Sequence, residues 1–133
     1  MPNPLANVTV LDLTHVLAGP FATMTLADLG ARVIKVERPR SGDDTRAFPP
    51  FKDGKSAYFS ALNHSKKSIA LDLKAEDDRA VFHRLLARAD VIVENFRPGV
   101  MERLGYGWRD LHAAYPRLIY GSVSGFGHTG PDA

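Results

Sequence analysis

The N-terminal part of the chain carries the pattern that most restricts its fold: a strand, a turn, a helix and a second strand in direct succession. The first strand is VTVLDL, residues 8–13, and residues 14–19 form a turn rich in small side chains. Pro20 suits the first turn of a helix, because its φ is already helical and its missing N–H has no partner there. We therefore expect a helix from near Pro20 to a stop at Gly30, and a strand over residues 32–37. This succession builds a parallel sheet.

The same unit predicts a ligand site at one edge of that sheet. A right-handed crossover brings the turn after the first strand and the end of the second strand to the same edge. The N-terminus of the helix and Arg38 are expected to meet there, and both favour a negatively charged group. We therefore expect this edge to bind an anion.

The rest of the chain alternates between strands and helices. Residues 40–56 form a polar segment with two adjacent prolines, which predicts an irregular loop. Further strands are predicted at residues 68–73, 90–94 and 118–123, and further helices at residues 57–63, 76–88, 100–104 and 108–114. The predicted fold class is α/β, a parallel sheet of about five strands with helices on both faces.

Composition limits the function classes that the chain can serve. Its 133 residues suffice for one domain with a hydrophobic core and not for two ordinary ones. Lys and Arg number 17 against 15 Asp and Glu, so we expect neither a nucleic-acid partner nor a membrane surface. The absence of Cys excludes disulfides and a cysteine nucleophile. No apolar run reaches the roughly 18 residues that span a bilayer, and a signal peptide is not evident, so we expect a cytoplasmic protein.

Two motifs have a functional and a structural interpretation. Gly125, Gly127 and Gly130 match the dinucleotide-binding pattern G-x-G-x-x-G, but Pro131 follows and no helical pattern does, so we favour a loop. His15 follows the first strand and is either a catalytic base or, as we favour, a histidine that hydrogen-bonds the backbone of its own turn. The remaining histidines have no spacing that predicts a metal site.

Basic residues gather at or near the predicted carboxyl ends of the strands, where open α/β sheets bind ligands. They are Arg38, Arg40, Arg46, Lys66, Lys67, Lys74, Arg97 and Arg103. Each taken singly is expected to be a solvated surface charge, whereas together with the helix N-terminus they favour a polyphosphate ligand. Asn95 and Phe96 add an amide and an aromatic face, which suit a nucleotide base or a pantetheine arm, or else pack in the loop.

Five blocks of the sequence, in order, resemble the N-terminal part of the class III coenzyme A transferases. The blocks are DLTHVLAGPFATMTLADLGARVIKVERP, SGDDTR, LNHSKKSIALDL, ADVIVENFRPGVMERLGYGW and PRLIYGSVSGFGHTGP. This family includes formyl-CoA transferase and the carnitine and bile-acid CoA-transferase branch, and α-methylacyl-CoA racemase is related to it. HVLAGP and VIKVERP, together with SGDDTR, look closer to the transferases than to the racemases.

The resemblance implies a Rossmann-like large domain that binds CoA or acyl-CoA as substrate, in a homodimer of interlocked chains. Matched position by position, it implies nucleotide contacts at Val16, Leu17, Ala18, Arg38, Leu71, Asp72, Leu73 and Lys74, pantetheine contacts at Asn95, Phe96 and Arg97, and a phosphate contact at Arg103. It implies no cofactor and no metal. Ala75 replaces the Ser or Thr that usually caps the next helix in the family, which should weaken that helix slightly.

The resemblance also implies that the catalytic residues lie outside this chain. The transferases use an aspartate some tens of residues beyond the SGFG block, which attacks the acyl-CoA thioester to form a mixed anhydride, and Asp132 comes too early to replace it. We therefore expect residues 1–133 to be the N-terminal CoA-binding part of an incomplete large domain, without the catalytic-Asp segment and the C-terminal part. The alternatives are a non-catalytic CoA-binding or interaction module and part of a racemase-like enzyme.

Overall fold

The computed structural model describes residues 3–131 and contains the predicted α/β sheet. The seven strands are β1 (Thr9–Asp12), β2 (Arg32–Glu37), β3 (Phe51–Lys52), β4 (Lys55–Ser56), β5 (Lys67–Ala70), β6 (Val91–Glu94) and β7 (Ile119–Ser122). The five α-helices are α1 (Ala18–Asp28), α2 (Ala57–Asn63), α3 (Glu76–Leu86), α4 (Val100–Leu104) and α5 (Trp108–Ala114). Five strands form one parallel sheet, and β3 and β4 form a small antiparallel hairpin.

The strand order of the large sheet is β5-β2-β1-β6-β7. Counted along the sheet-forming strands this is 3-2-1-4-5, the order of a Rossmann-type sheet. The direction of winding reverses between β1 and β6, and in such sheets ligands bind in the crevice beyond the carboxyl ends of the strands at that point. The topology therefore predicts a ligand site beside the residues that follow Asp12 and Glu94.

Helices cover both faces of the sheet, as predicted, because side chains alternate along each strand. Leu11 and Ile92 point to the face covered by α3, α4 and α5, where Phe82, Met101 and Tyr106 complete the core. Buried side chains on the α1 side form the second core: Val10, Ala27, Ala31, Val33 and Val93. Each apolar cluster excludes water from one face, and burial of this kind is the main favourable term in folding.

Helix α1 begins at Ala18, two residues before the predicted start at Pro20. The backbone at Gly19 passes close to Thr14, because a Cβ atom at Gly19 would lie only 2.3 Å from the Thr14 Cβ atom. Glycine permits this approach, and the helical hydrogen bonds start before Pro20, because the Phe21 N–H already donates to the Leu17 carbonyl at 2.8 Å. Pro20 still lies in the first turn, where its N–H is not needed.

The segment predicted as an irregular loop contains a 3₁₀ helix, Asp44–Ala47, and the β3–β4 hairpin. Asp43 and Thr45 are completely buried, so part of this polar segment belongs to the interior. After β7, residues 123–131 form no helix, with Gly127 and Gly130 at positive φ, which confirms the loop in place of a dinucleotide fingerprint. Asp132 lies outside the described residues. Among residues 3–131, none of the helices is long and apolar enough to cross a membrane.

Candidate functional site

A cavity of about 420 Å³ opens at the carboxyl ends of the strands. Its walls come from the end of β2, from the segments that follow β1, β2, β5 and β6, and from the last residue of α4. The lining residues are Leu13, His15, Val36, Glu37, Arg38, Pro39, Ser41, Leu71, Asp72, Leu73, Lys74, Phe96 and Leu104. Its position next to the point where the strand order reverses is the one expected for a ligand site in this topology.

Half of the predicted site residues line this cavity, namely Arg38, Leu71, Asp72, Leu73, Lys74 and Phe96. Asn95 adjoins the cavity through its hydrogen bonds to His15. Five others lie outside the lining and are exposed, namely Val16, Leu17, Ala18, Arg97 and Arg103. The sequence predicted that the N-terminus of α1 and Arg38 meet at one anion site. Arg38 lines the cavity, whereas the N-terminus of α1 does not.

Asn95 holds together the two loops at the switch point. Its side-chain amide accepts from the His15 N–H and donates to the His15 carbonyl, both at 2.8 Å. The next residue, Val16, has a φ of 69°, a conformation in which a β-branched side chain is strained. Backbone strain of this kind persists only where surrounding contacts enforce it, and it occurs often at functional sites.

Arg38 is held in place by the loop that follows β2. Its Nε and Nη2 atoms donate to the Gly42 carbonyl at 3.3 and 3.2 Å, and its guanidinium also pairs with Asp44. The side chain remains about half exposed, at 55%, so a ligand can reach it. A guanidinium fixed in this way is suited to bind phosphate.

Glu37 is fully occupied by partners and is not available as a base. Its carboxylate accepts from Arg46 at 2.6 and 2.7 Å, from the Asp43 N–H at 3.0 Å and from the Ser68 hydroxyl. Burial would raise the pKa of Glu37, but the hydrogen bonds from Arg46 and Ser68 outweigh it and lower this pKa to about 2. Arg46, one of the basic residues singled out in the sequence, is therefore neutralised by Glu37.

Two buried ion pairs support the turn after β1. The Lys35 Nζ atom lies 2.9 Å from Asp43 Oδ2 and donates to the Thr14 carbonyl at 2.7 Å. The Lys66 Nζ atom lies 2.9 Å from Asp12 Oδ2, which also accepts from the Thr23 hydroxyl. All four charged side chains are at most 1% exposed.

The environment of Asp43 keeps it ionised. Burial would raise the pKa of Asp43, but the Thr45 N–H, the Lys35 ammonium and the Thr45 hydroxyl outweigh it and lower this pKa to about 2. The carboxylate therefore stays negative at every physiological pH. Lys66 of the other pair has a lowered pKa, because burial disfavours its charge more than Asp12 stabilises it.

Sequence reasoning missed several of these residues. Lys35 and Asp43 were not predicted to be buried, although a lysine in the centre of a strand that is apolar on both sides is itself a signal that an acid must pair with it. The prediction favoured a hydrogen bond from His15 to the backbone of its own turn, but within residues 3–131 the buried Nδ1 atom has no hydrogen-bond partner. Among residues 3–131, no three His, Asp or Glu side chains lie close enough together to hold a metal ion.

The comparisons with known proteins agree with the resemblance in the sequence. The chain is 56% identical over 128 residues to an acetyl-CoA:oxalate CoA-transferase of Acetobacter aceti, covering 96% of this chain and 33% of that protein. It is 51% identical over 129 residues to a succinyl-CoA:glutarate CoA-transferase of Homo sapiens, covering 96% of this chain and 30% of that protein. The chain thus spans about a third of the length of these curated relatives.

The fold agrees with a solved structure as well. A CAIB/BAIF family protein from Brucella suis superposes with a TM-score of 0.91 at 46% sequence identity, covering 98% of this chain and 36% of that one. The model of CoA-transferase family III matches residues 5–133. Since the match extends over almost the whole chain and the Rossmann-type sheet agrees with it, the chain belongs to CoA-transferase family III.

Proposed function

We propose that this chain is the N-terminal CoA-binding portion of a CoA-transferase, which moves CoA between an acyl-CoA thioester and a carboxylic acid. The nucleophile is an aspartate outside these residues, as the family resemblance implies. Its carboxylate attacks the thioester carbonyl, the C–S bond breaks, and CoA leaves as the thiolate while an aspartyl anhydride forms. This chain then supplies the groups that hold CoA, and the catalytic apparatus comes from elsewhere.

One observation carries the proposal: six of the residues predicted to contact CoA line a single cavity at the carboxyl ends of the strands. Arg38 and Lys74 offer positive charge for phosphates, and Phe96 offers an aromatic face. Leu71 and Leu73 add apolar surface. A cavity with mixed cationic, aromatic and apolar walls fits a ligand that combines phosphates, a base and a pantetheine arm.

We further propose that the complete protein is a cytoplasmic homodimer of interlocked chains, as the resemblance implies. The substrates are a CoA thioester and a carboxylic acid, the classes named for the relatives from Acetobacter aceti and Homo sapiens. The acyl group is not assigned.

Calorimetric titration of the chain with CoA tests the proposal. We expect binding that weakens about tenfold or more in the Arg38→Ala variant, because a charge-assisted hydrogen bond is lost. The matched control is Arg40→Ala, since Arg40 is an exposed guanidinium two residues away that does not line the cavity. Circular dichroism of each variant checks that it is folded.

The outcomes separate the candidate functions. Equal weakening by both substitutions would indicate general charge attraction and would contradict a site built around Arg38. A folded chain that fails to bind CoA would contradict the proposal that these residues suffice for binding. Thioester exchange by the purified chain would contradict the assignment of the nucleophile to residues outside it.

A further inference from the structure

His15 lies in the cavity wall, and nothing in the proposed function yet uses it. Both of its backbone groups are bound by the Asn95 amide at 2.8 Å, which fixes the position from which the side chain extends. The imidazole packs against Phe96, with ring centroids 5.3 Å apart and planes tilted by 57°. The ring is therefore held in one place before any ligand arrives.

The two ring nitrogens have different surroundings. Nδ1 is buried, has no hydrogen-bond partner within residues 3–131 and lies 4.0 Å from Asp43 Oδ2, a distance too long for a hydrogen bond but short enough for the carboxylate to favour an N–H at Nδ1. Nε2 is not among the buried unpartnered atoms of the described residues. Because the side chain keeps 16% exposure and lines the cavity, Nε2 is the nitrogen that a ligand can reach.

The charged groups around the ring favour its neutral form. Burial lowers the pKa of His15; Asp43 opposes this, Lys35 and Arg38 reinforce it, and Asp44 raises the pKa slightly. A neutral imidazole carries one proton, and the negative Asp43 carboxylate draws that proton to Nδ1. Asp43 cannot take the proton itself, because its own pKa is about 2. The lone pair then lies on Nε2, facing the cavity.

We propose that His15 is a neutral hydrogen-bond acceptor for the ligand, with its proton on Nδ1 toward Asp43 and with Nε2 accepting from an uncharged N–H or O–H group of CoA. The inference rests on the proposed CoA-binding function. The cavity wall otherwise offers the cations of Arg38 and Lys74 and two carboxylates, of which Asp72 already accepts from the Lys74 N–H at 3.0 Å. Glu37, an acidic residue in the wall, is engaged by Arg46 and Ser68.

The first test is the tautomer of His15, measured by ¹⁵N NMR of the labelled chain without ligand. We expect Nε2 to be unprotonated at neutral pH, with a resonance that shifts when CoA is added. Adenosine 3′,5′-bisphosphate and pantetheine, added separately, show which half of CoA supplies the donor. A proton on Nε2, a charged ring at neutral pH, or no shift with CoA would each overturn the proposal.

The second test is the pH dependence of CoA affinity in wild type and in His15→Gln. Glutamine keeps an acceptor oxygen but does not titrate, so it removes the pH sensitivity and not the shape of the wall. We expect wild-type affinity to fall about fivefold relative to the variant as the pH drops through the NMR-measured pKa of His15, because the protonated ring can no longer accept. His112→Gln, at an exposed position of helix α5 outside the cavity lining, is the matched control and should follow wild type.

The direction in which CoA affinity changes on acidification distinguishes two roles for His15, a neutral hydrogen-bond acceptor and a phosphate-binding cation. If affinity rose on acidification in wild type alone, His15 would act through its positive charge, and the acceptor role would be wrong. Identical pH profiles of wild type and His15→Gln would also overturn it. If the folded wild-type chain does not bind CoA at about pH 7.5, the proposed function is contradicted as well. If it binds CoA and the pH profiles of affinity are identical in wild type and His15→Gln, only the role of His15 is contradicted.

Discussion

At the scale of the residue, buried charges hold the ends of the strands in place. Lys35 and Asp43 form one pair and Lys66 and Asp12 another, and none of these side chains is more than 1% exposed. Breaking a buried pair by removing one partner leaves an uncompensated charge and typically destabilises by about 3–5 kcal/mol. These pairs therefore hold the turn after β1 in one conformation, and their net contribution to the free energy of unfolding is smaller than the cost of removing one partner.

The Glu37–Arg46 pair predicts how stability depends on pH. The folded-state pKa of Glu37, about 2, lies below its ordinary value of 4.5, so its stabilisation is complete above that ordinary value and is lost as the pH falls toward 2. In Arg46→Gln the folded-state pKa moves back toward the ordinary value. We expect the variant to be less stable by about 1 kcal/mol at neutral pH, since Arg46 is 44% exposed and solvent weakens the pair.

The measurement is the free energy of unfolding in urea at several pH values. The difference between wild type and Arg46→Gln should shrink as the pH falls from about 4.5 toward about 2. Arg32→Gln, at the exposed start of the same strand and without an ion pair in the described part of the chain, is the control. A difference that persists undiminished in acid would show that Arg46 acts through packing on Phe59 and not through Glu37.

At the scale of the element, helix α3 lacks a side-chain cap at its N-terminus. Ala75 occupies the N-cap position with extended backbone, φ −85° and ψ 134°, and makes no capping hydrogen bond. Glu76, Asp77 and Asp78 compensate in part, because acidic residues in the first turn interact favourably with the helix dipole. The N-cap residue Ala75 directly follows Lys74, which lines the cavity, so the start of the helix lies beside the cavity.

Restoring the cap should stabilise the chain. Ala75→Ser places a hydroxyl where it can accept from an unpaired N–H of the first turn, and we expect a gain of about 1 kcal/mol in the free energy of unfolding. Ala87→Ser at the other end of α3, where the backbone is helical and no such N–H is free, should give no gain. The measurement is the free energy of unfolding in urea of wild type and of both variants. If Ala75→Ser is no more stable than wild type, the prediction is wrong and the acidic residues of the first turn already compensate for the missing cap.

At the scale of the whole molecule, the sheet has an uncovered edge. Within the described residues β7 is an edge strand, and Ile119, which pairs in register with Val91 on the α1 side, is 63% exposed. Phe126 in the following loop is 80% exposed. A strand with one unpaired edge, beside exposed large apolar side chains, favours association with another chain.

We therefore expect the isolated chain to associate as its concentration rises, as measured by sedimentation velocity. Ile119→Lys should weaken this association, because a charge on an edge strand opposes pairing. Ala80→Lys, on the exposed side of α3, adds the same charge away from that edge and should leave association unchanged. A wild-type chain that stays monomeric at high concentration would contradict the prediction.

Much of the architecture could be predicted because it depends on local patterns. The bounds of β2, α2, α4 and α5 agree with the prediction to the residue, since periodicity, caps and helix-stopping residues lie within each segment. The blocks shared with the CoA-transferases identified the family and six of the cavity residues. The start of α1 was predicted two residues late because proline favours the first helical position, whereas the Leu17 carbonyl already accepts from the Phe21 N–H.

The sequence by itself determined the α/β class, the order of the elements and the family, because each of these depends on short-range spacing or on blocks of residues that resemble the family. Only the tertiary structure decided which side chains meet at the site. Lys66 reaches Asp12 across 54 positions, and Asn95 binds the His15 backbone across 80. Such contacts arise when parallel strands bring distant segments to one edge of the sheet, and burial there makes partners for every charge obligatory.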